Sequence, residues 1–292
     1  MTLSINLNSP WCIFFILACI AILLGVSWLW CLKKNREMLQ RLDRENSEFI
    51  SIVGHQLRTP LTIIKGFLSL IAEGTYGKVN KETADALAKI LISTEDMGKL
   101  IEDLLNASRV ELGKMEFTME KLDITKFLEK IKEDFSLLAK NKRLSLKLIL
   151  PKKATPFVVA DVIKMTEVIS NLVENAVKYT KKGGITLSAE VRSSMAVINK
   201  NGHNVKGSNT AKQSVVRICV SDTGIGIRHE DIPHLFKKFS RGKDLGQWSI
   251  SGTGLGLYVG KGIIEAHGGN IWVESQGENK GAKFIIELPI AS

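Results

Sequence analysis

One histidine, His55, lies on the polar side of a strongly patterned helical stretch. It follows Val53 by two residues and precedes Leu57 by two, which places it about 200° from each around a helix axis. A solvent-facing imidazole is a nucleophile at neutral pH, although a single surface histidine more often has no chemical role. The apolar positions that define the buried side recur at steps of three and four: Leu39, Leu42, Ile50, Val53, Leu57, Leu61, Ile64, Leu68 and Ile71, with Asn46 among them.

A second polar set lies further along the chain, at Asn171, Asn175 and Lys178. Spacings of four and three put these side chains on one face of a helix. Amide oxygens suit a hard cation such as Mg²⁺, and a nearby lysine neutralises phosphate. The same pattern also occurs on a solvated helix surface, and that interpretation is preferred for the motif in isolation.

An apolar run at 215–220 predicts a strand that leads into Asp222. Gly224 and Gly226 follow it in an Asp-x-Gly-x-Gly pattern, in which glycine lets the backbone approach a flat ligand closely. The carboxylate is an acceptor for an exocyclic amine. A simple glycine turn after a strand remains an even alternative.

Another glycine series, Gly252, Gly254 and Gly256, precedes a predicted helix that extends to His267. Repeated glycines before a helix N-terminus suit phosphate, because unpaired N–H groups and the helix dipole both face it. By itself this pattern is weak evidence for a nucleotide site.

Together these motifs resemble those of bacterial sensor histidine kinases. The stretch from His55 to Leu61 reads His-Gln-Leu-Arg-Thr-Pro-Leu and is similar to the family's phosphoacceptor box. The three later motifs match the family's nucleotide boxes in the same order. One box is weak evidence, whereas three boxes in this order downstream of the histidine are strong. The resemblance covers residues 37–290.

This resemblance implies an ATP-dependent protein-histidine kinase. Nε2 of His55 would attack the γ-phosphate of MgATP, and a response regulator receiver domain would then take the phosphoryl group onto an aspartate. Asn175 would hold Mg²⁺, and Asp222 would bind the adenine amino group. The residues that the resemblance assigns to ATP are Asn171, Asn175, Lys178, Tyr179, Asp222, Gly224, Gly226, Arg241, Gly252, Thr253, Gly254, Leu255 and Gly256.

Two positions near the histidine modify this expectation. Gln56 stands where most relatives have a glutamate or aspartate that accepts the imidazole Nδ1 proton; an amide accepts the hydrogen bond but is a very poor base. We therefore expect a slower autokinase. Thr59 matches the position that orients water for dephosphorylating the regulator. The alternative function is a phosphatase-biased protein, or a non-catalytic membrane scaffold derived from a kinase.

Other function classes fit less well. Related ATPases of the Bergerat group, such as topoisomerases and heat-shock chaperones, use a glutamate to activate water. The corresponding position in this chain is Asn171, which argues against hydrolysis as the main activity. The net charge of +10 comes from basic residues spread along the chain without a nucleic-acid motif. We therefore expect no nucleic acid partner.

The segment 11–32 predicts a transmembrane helix, since its 22 residues carry no charge and extend roughly 33 Å. A cleaved signal peptide is the alternative, but residues 1–10 contain no Lys or Arg. Lys33, Lys34 and Arg36 follow the segment and place the catalytic part in the cytoplasm. We expect a single-pass protein of the inner (cytoplasmic) membrane that contacts lipid through 11–32, with residues 1–10 as a short extracytoplasmic N-terminus and no folded sensor domain outside.

The hairpin is predicted to comprise a signalling coiled-coil linker at 33–48 and a dimerisation and phosphotransfer domain at 49–109. Gly74 and Gly77 mark its turn. With one apolar seam per helix, a single hairpin leaves much apolar surface exposed to water, so we expect a homodimer that forms a four-helix bundle. A monomeric hairpin packed on the next domain is the alternative. The second seam is Leu87, Ile90, Thr94, Met97, Ile101 and Leu104.

Residues 110–292 are predicted to form the catalytic ATP-binding domain, an α/β sandwich of the Bergerat type, which makes the fold class α+β. A mobile lid is expected at 240–251, from which Arg241 or Lys243 reaches the phosphates, and a flexible loop at 193–214. Asp161 is the predicted N-cap of the helix that carries Asn171. The other predicted elements are strands at 115–117, 144–150, 271–274 and 282–288 and a helix at 124–139.

Overall fold

The computed structural model describes residues 10–151, 156–194, 213–240 and 253–291. Its first element is a long helix, α1 (Pro10–Ala72), which contains Pro60 without interruption. The side chains at Leu39, Leu42 and Asn46, which begin the predicted seam, lie outside the described part. Within the part of the chain that the structure describes, no helix combines the length and the apolar character needed to cross a membrane.

The predicted hairpin turn is confirmed. Gly74 and Gly77 both adopt positive φ, at 81° and 112°, a region that glycine enters without strain. Asn80 then caps α2 (Lys81–Leu112) by accepting a hydrogen bond from the backbone N–H of Thr83. Gly113 ends α2 in the left-handed conformation, with φ of 62°, and begins the connection to the second half.

The two hairpin helices make close contact over several turns. Leu105 packs directly on Gly54. Leu61, about two turns after Gly54 on α1, packs on Gly98. Lys65 pairs with Glu95 at 2.8 Å on the same side of the hairpin. These contacts define the register of α1 against α2, that is, which residues of the two helices lie opposite each other.

The second half is a two-layer α/β domain. Its elements are β1 (Glu120–Asp123), α3 (Ile124–Asn141), β2 (Ser145–Ile149), β3 (Phe157–Ala160), α4 (Val162–Tyr179), β4 (Gly184–Ser194), β5 (Gln213–Asp222), a 3-10 turn (Ile232–His234), α5 (Gly256–Ala266), β6 (Asn270–Glu274) and β7 (Lys283–Pro289). Five strands form one sheet in the order β2-β4-β5-β7-β6, and β1 pairs with β3 in a separate antiparallel ribbon. Among the described strands of the large sheet, β2 and β4 are the one parallel pair and the other pairs are antiparallel.

One face of the large sheet is packed on the helices. Alternate residues of β5, namely Val216, Ile218 and Val220, are buried in the same cluster as Leu172 of α4 and Ile263 of α5. This alternation is what a strand with one covered face requires. The helical hairpin followed by an α/β domain confirms the coarse fold expected from the sequence.

The strand expected at 115–117 is wrong, because those residues precede β1 in irregular conformation. Met115 and Phe117 still pack on the core, and Phe117 meets the ring of His267 edge-on at 5.1 Å. Their alternation therefore reflects burial of single side chains rather than strand pairing. The strands β4 and β5 also extend to Ser194 and Gln213, which shortens the expected loop at 193–214; residues 195–212 lie outside the described part.

Candidate functional site

His55 is exposed on the surface of α1, as its position in the apolar pattern predicts. Gly54 beside it is buried under Leu105, and an added Cβ there would lie only 2.6 Å from Leu105 Cδ2. Gln56 and Thr59 are exposed as well. The imidazole and both neighbouring polar groups are therefore accessible, on a segment held firmly against α2.

Arg58, one turn after His55, forms an ion pair with Glu102 of α2. In the same turn Pro60 donates no N–H to the carbonyl of Gln56, while the Thr62 hydroxyl donates to the Arg58 carbonyl at 2.9 Å. Pro60 does not end α1, which continues to Ala72. The segment around the histidine is thus tied to α2 by charge as well as by packing.

The asparagine motif lies on α4, whose N-cap is Asp161 as predicted. Nδ2 of Asn175 donates to Oδ1 of Asn171 at 3.4 Å, so the two amides share one face. A Cβ at Gly256 would lie 2.8 Å from the Asn171 amide nitrogen. Glycine at 256 therefore lets the start of α5 approach Asn171, which joins two of the predicted motifs.

Asp222 lies at the end of β5 with its carboxylate fixed by two backbone donors. Oδ1 accepts hydrogen bonds from the N–H of Gly224 at 2.8 Å and of Ala282 at 3.3 Å. Burial raises the pKa of this carboxyl, and the two backbone donors oppose that shift. Both described donors use Oδ1, which leaves Oδ2 to accept from a ligand.

The loop after Asp222 is clamped from both sides. The N–H of Ile225 donates to the carbonyl of Tyr179, at the end of α4, at 3.2 Å. Gly281 donates to the Gly224 carbonyl at 3.1 Å from the opposite side. Gly226 has φ of 69° and comes so close to Gly277 that no side chain fits. The Asp-x-Gly-x-Gly motif is thus a rigid backbone turn beside the asparagine helix.

The last glycine motif is described from Thr253 onward; Arg241, Lys243 and Gly252 lie outside the described residues. Gly254 has φ of 69°, and a Cβ there would lie 2.9 Å from the Ser240 carbonyl oxygen. Leu255 is buried, and its N–H donates to the Thr253 hydroxyl at 3.1 Å. Lys178 lies with its ammonium 5.6 Å from the centre of the Tyr179 ring.

Sequence reasoning missed the residues through which α2 contacts the nucleotide-motif domain. Lys99 pairs with Glu174 at 2.6 Å, the Asn106 amide donates to Glu167 at 3.0 Å, and the Thr253 hydroxyl donates to Asp103 at 2.8 Å. A signal was present, since these positions with Val110 are spaced four, three and four and so share one face of α2. The predicted apolar seam of α2 lies on a different face of the helix from these residues.

Comparison with known families assigns both halves of the chain. Residues 45–113 match the family described as the His Kinase A (phospho-acceptor) domain. Residues 160–292 match the family described as the histidine kinase-, DNA gyrase B-, and HSP90-like ATPase. The first range contains His55, and the second contains the asparagine and both glycine motifs.

Individual relatives agree with this division. The chain is 32% identical over 252 residues to the sensor histidine kinase WalK of Bacillus subtilis (strain 168), an alignment that covers 86% of this chain but only 38% of that protein. The crystal structure of full-length ShkA in complex with AMPPNP is similar at 25% identity with a TM-score of 0.64, covering 84% of this chain and 46% of that one. The Acinetobacter baumannii histidine kinase AdeS is similar at 28% identity with a TM-score of 0.52, covering 82% and 98% of the two chains.

Proposed function

Because this chain belongs to the sensor histidine kinases of two-component systems, we propose that it transfers the γ-phosphoryl group of ATP to His55 and from there to an aspartate of a response regulator. The observation that carries this proposal is the convergence of the three nucleotide motifs. Asn171 lies against Gly256, and the turn at Gly224 is bonded to the end of the asparagine helix at Tyr179. An exposed His55 on the adjoining hairpin supplies the acceptor.

The proposed chemistry is an in-line displacement at phosphorus. Nε2 of His55 forms the new N–P bond while the bond between the γ-phosphorus and the β,γ-bridging oxygen breaks, and ADP leaves. The Nδ1 proton is directed to the Gln56 amide oxygen, which orients the ring without removing the proton. In the second step an aspartate carboxylate of the receiver domain takes the phosphoryl group from Nε2.

The residues present fit a magnesium ion that arrives with the nucleotide. Mg²⁺ usually binds through one or two protein oxygens together with substrate phosphates. Asn175 turns its amide nitrogen toward Asn171, so its amide oxygen faces away from that contact and suits such an ion. Bound there, Mg²⁺ would neutralise charge that develops on the phosphates.

Autophosphorylation of the full chain with labelled ATP and Mg²⁺ tests the proposal. We expect label that is lost in acid and kept in alkali, and that is absent from His55→Ala and Asn175→Ala. His234→Ala is the matched control, because His234 is an exposed histidine outside the motifs. Label that persists in His55→Ala, or that disappears equally in His234→Ala, contradicts the assignment.

We also propose that the hairpin forms a homodimeric four-helix bundle. Two apolar residues of the predicted second seam, Ile90 and Met97, are 48% and 56% exposed in the single chain, and on α1 Ile64 and Phe67 are 49% and 53% exposed. Exposed apolar rows on both helices of a hairpin favour burial against a second copy. Sedimentation equilibrium of the full chain, with Phe67→Lys expected to shift it to monomer, tests this; an unchanged dimer would contradict the interface.

A membrane anchor at 11–32 is proposed from the sequence, on the uncharged run and the basic residues that follow it. The catalytic part would then lie in the cytoplasm. Fractionation of expressing cells tests this: the full chain is expected in the membrane pellet at high salt, and the chain lacking 11–32 in the supernatant. Recovery of the full chain in the supernatant would refute the anchor.

A phosphatase role at Thr59 is supported by its position one turn after His55 and by its exposure to solvent. A hydroxyl at this point can orient water toward a phosphoaspartate on a docked receiver domain. Thr59→Ala is expected to slow dephosphorylation of the regulator while autophosphorylation continues. Dephosphorylation at the wild-type rate would rule this role out.

A further inference from the structure

One face of α2 contacts the nucleotide-motif domain at four positions spaced about one helical turn apart, which we name the docking stripe: Lys99, Asp103, Asn106 and Val110. Three of them make the polar contacts described above, and Val110 packs on Gly262 of α5 so closely that a Cβ on that glycine would lie 3.3 Å from Val110 Cβ. The stripe is separate from the face of α2 that packs on α1, where Gly98, Glu102 and Leu105 lie.

Asp103 is the member of the docking stripe that reaches the glycine motif. Its Oδ2 accepts a hydrogen bond from the Thr253 hydroxyl at 2.8 Å, and that hydroxyl oxygen accepts from the N–H of Leu255 at 3.1 Å. Leu255 is the N-cap residue of α5. A chain of two hydrogen bonds therefore runs from the N-terminus of α5 to a carboxylate on another domain.

This arrangement places a negative charge where phosphates are expected. The N-terminal N–H groups and the dipole of α5 favour one anion in their vicinity. In this structure Asp103 is that anion, and the Leu255 N–H is already bonded through Thr253. A triphosphate brought to the same helix end would meet like charge and a donor that is already in use.

Burial of polar groups at the docking stripe costs free energy, which favours a reversible interface between α2 and the nucleotide-motif domain. Burial raises the pKa of Asp103, and the Thr253 hydroxyl and the Lys99 charge only partly oppose this. Beside it Asn106 is 2% exposed, and among the described residues its Oδ1 has no hydrogen-bond partner. A buried polar atom without a partner is destabilising, so separation of the two domains returns both groups to water.

We propose that Asp103 competes with the phosphates of the nucleotide for the glycine motif, so that docking of α2 through the docking stripe and binding of ATP oppose each other. This inference rests on the proposed function of the same site. The docked form is then a low-affinity state, and nucleotide binding releases α2 from Thr253. Because such coupling is reciprocal, whatever separates α2 from the glycine motif raises nucleotide affinity.

Calorimetric titration of the full chain with the Mg²⁺ complex of AMP-PNP, a non-hydrolysable ATP analogue, tests the competition. Asp103→Asn keeps the side-chain size but removes the charge, and we expect it to bind the analogue roughly 5- to 150-fold more tightly, the usual range for coupling between two sites. Adenosine, which has no phosphates, is expected to bind wild type and variant equally.

Asp96→Asn is the matched control. Asp96 lies two turns before Asp103 on α2 and is exposed. Its side chain has no ion pair or hydrogen bond in the described part of the chain. We expect its affinity for the analogue to equal that of wild type. Equal or weaker binding by Asp103→Asn refutes the competition and leaves the proposed function standing. Absence of binding of both adenosine and the analogue in every variant overturns both.

A covalent lock provides an independent test. Val110→Cys with Gly262→Cys, in a chain whose native cysteines are replaced by alanine, places two thiols at the docking stripe at nearly the spacing that a disulfide needs. We expect the oxidised protein to bind AMP-PNP more weakly than the reduced protein, and Asp103→Asn in the oxidised protein to recover part of the affinity. Equal affinity of the oxidised and reduced forms contradicts the proposal.

Discussion

Gly54→Ala is expected to disturb the hairpin directly beside His55. The added Cβ would lie 2.6 Å from Leu105 Cδ2 and 2.7 Å from Leu105 Cγ. Carbon atoms in contact prefer a separation of roughly 3.5–4.0 Å, so one of the two helices must shift by about 1 Å. Leu105 is fully buried and has little room to move.

Two opposing effects set the size of the change. Overpacking of a tight core costs about 1–3 kcal/mol, whereas replacing glycine by alanine inside a helix gains about 1 kcal/mol. Gly54→Ala should therefore lower the free energy of unfolding by about 0–2 kcal/mol. Gly66→Ala is the matched control on the same helix, because a Cβ there would meet no atom of the described residues within 4 Å. Only the favourable helix effect applies at Gly66.

The difference between the two variants isolates the steric cost. Urea denaturation of the full chain followed by circular dichroism should place Gly54→Ala about 1–3 kcal/mol below Gly66→Ala. In a Leu105→Ala background the clash is removed, and the two alanine variants should then have the same effect. If Gly54→Ala stabilises the protein as much as Gly66→Ala does, the helices do not cross closely at this point and the reasoning fails.

Three further predictions concern single side chains. Gln56→Glu should increase the rate of autophosphorylation, since a carboxylate accepts the Nδ1 proton better than an amide; an unchanged rate across pH counts against this. Because burial raises the pKa of Asp222 above its unfolded value, the folded protein keeps this proton over the window between the two pKa values. The stability contribution of Asp222 therefore falls as pH rises through that window, so Asp222→Asn should stabilise the nucleotide-free protein at neutral pH while weakening ATP binding, and a variant less stable than wild type in urea would refute this. Glu102→Gln should cost less than about 1 kcal/mol in the same assay because its ion pair with Arg58 is nearly half exposed; a much larger loss would reveal a role beyond that pair.

The elements that positioned the site were visible in the sequence because each had a local signal. Asp161 caps α4 through a bond to the N–H of Lys164, and Gly74 begins a turn that only a positive φ allows. The fold places Asn171 against Gly256 and bonds the turn after Asp222 to Tyr179. In each case the residue type is required by its own backbone geometry, so no distant partner had to be known.

Features that depend on a partner distant in the sequence were not predicted. β3 (Phe157–Ala160) has four residues and forms only because β1 pairs with it. The strand expected at 115–117 is wrong because its apolar pattern arises from a different contact. Phe117 packs on the ring of His267 and does not pair with another strand. Asp103 resembles any polar residue of a helix surface until Thr253, 150 positions later, is placed beside it.

The continuity of α1 has a mechanical consequence. Between residue 33 and His55 the backbone is helical without a break, a distance of roughly 33 Å at the usual rise. Because this helix has no break between residue 33 and His55, a rotation of its N-terminal part about the helix axis changes the direction in which the imidazole points. At the crossing, Gly54 presents only a hydrogen atom to Leu105, so no α1 side chain interlocks with Leu105 at this point.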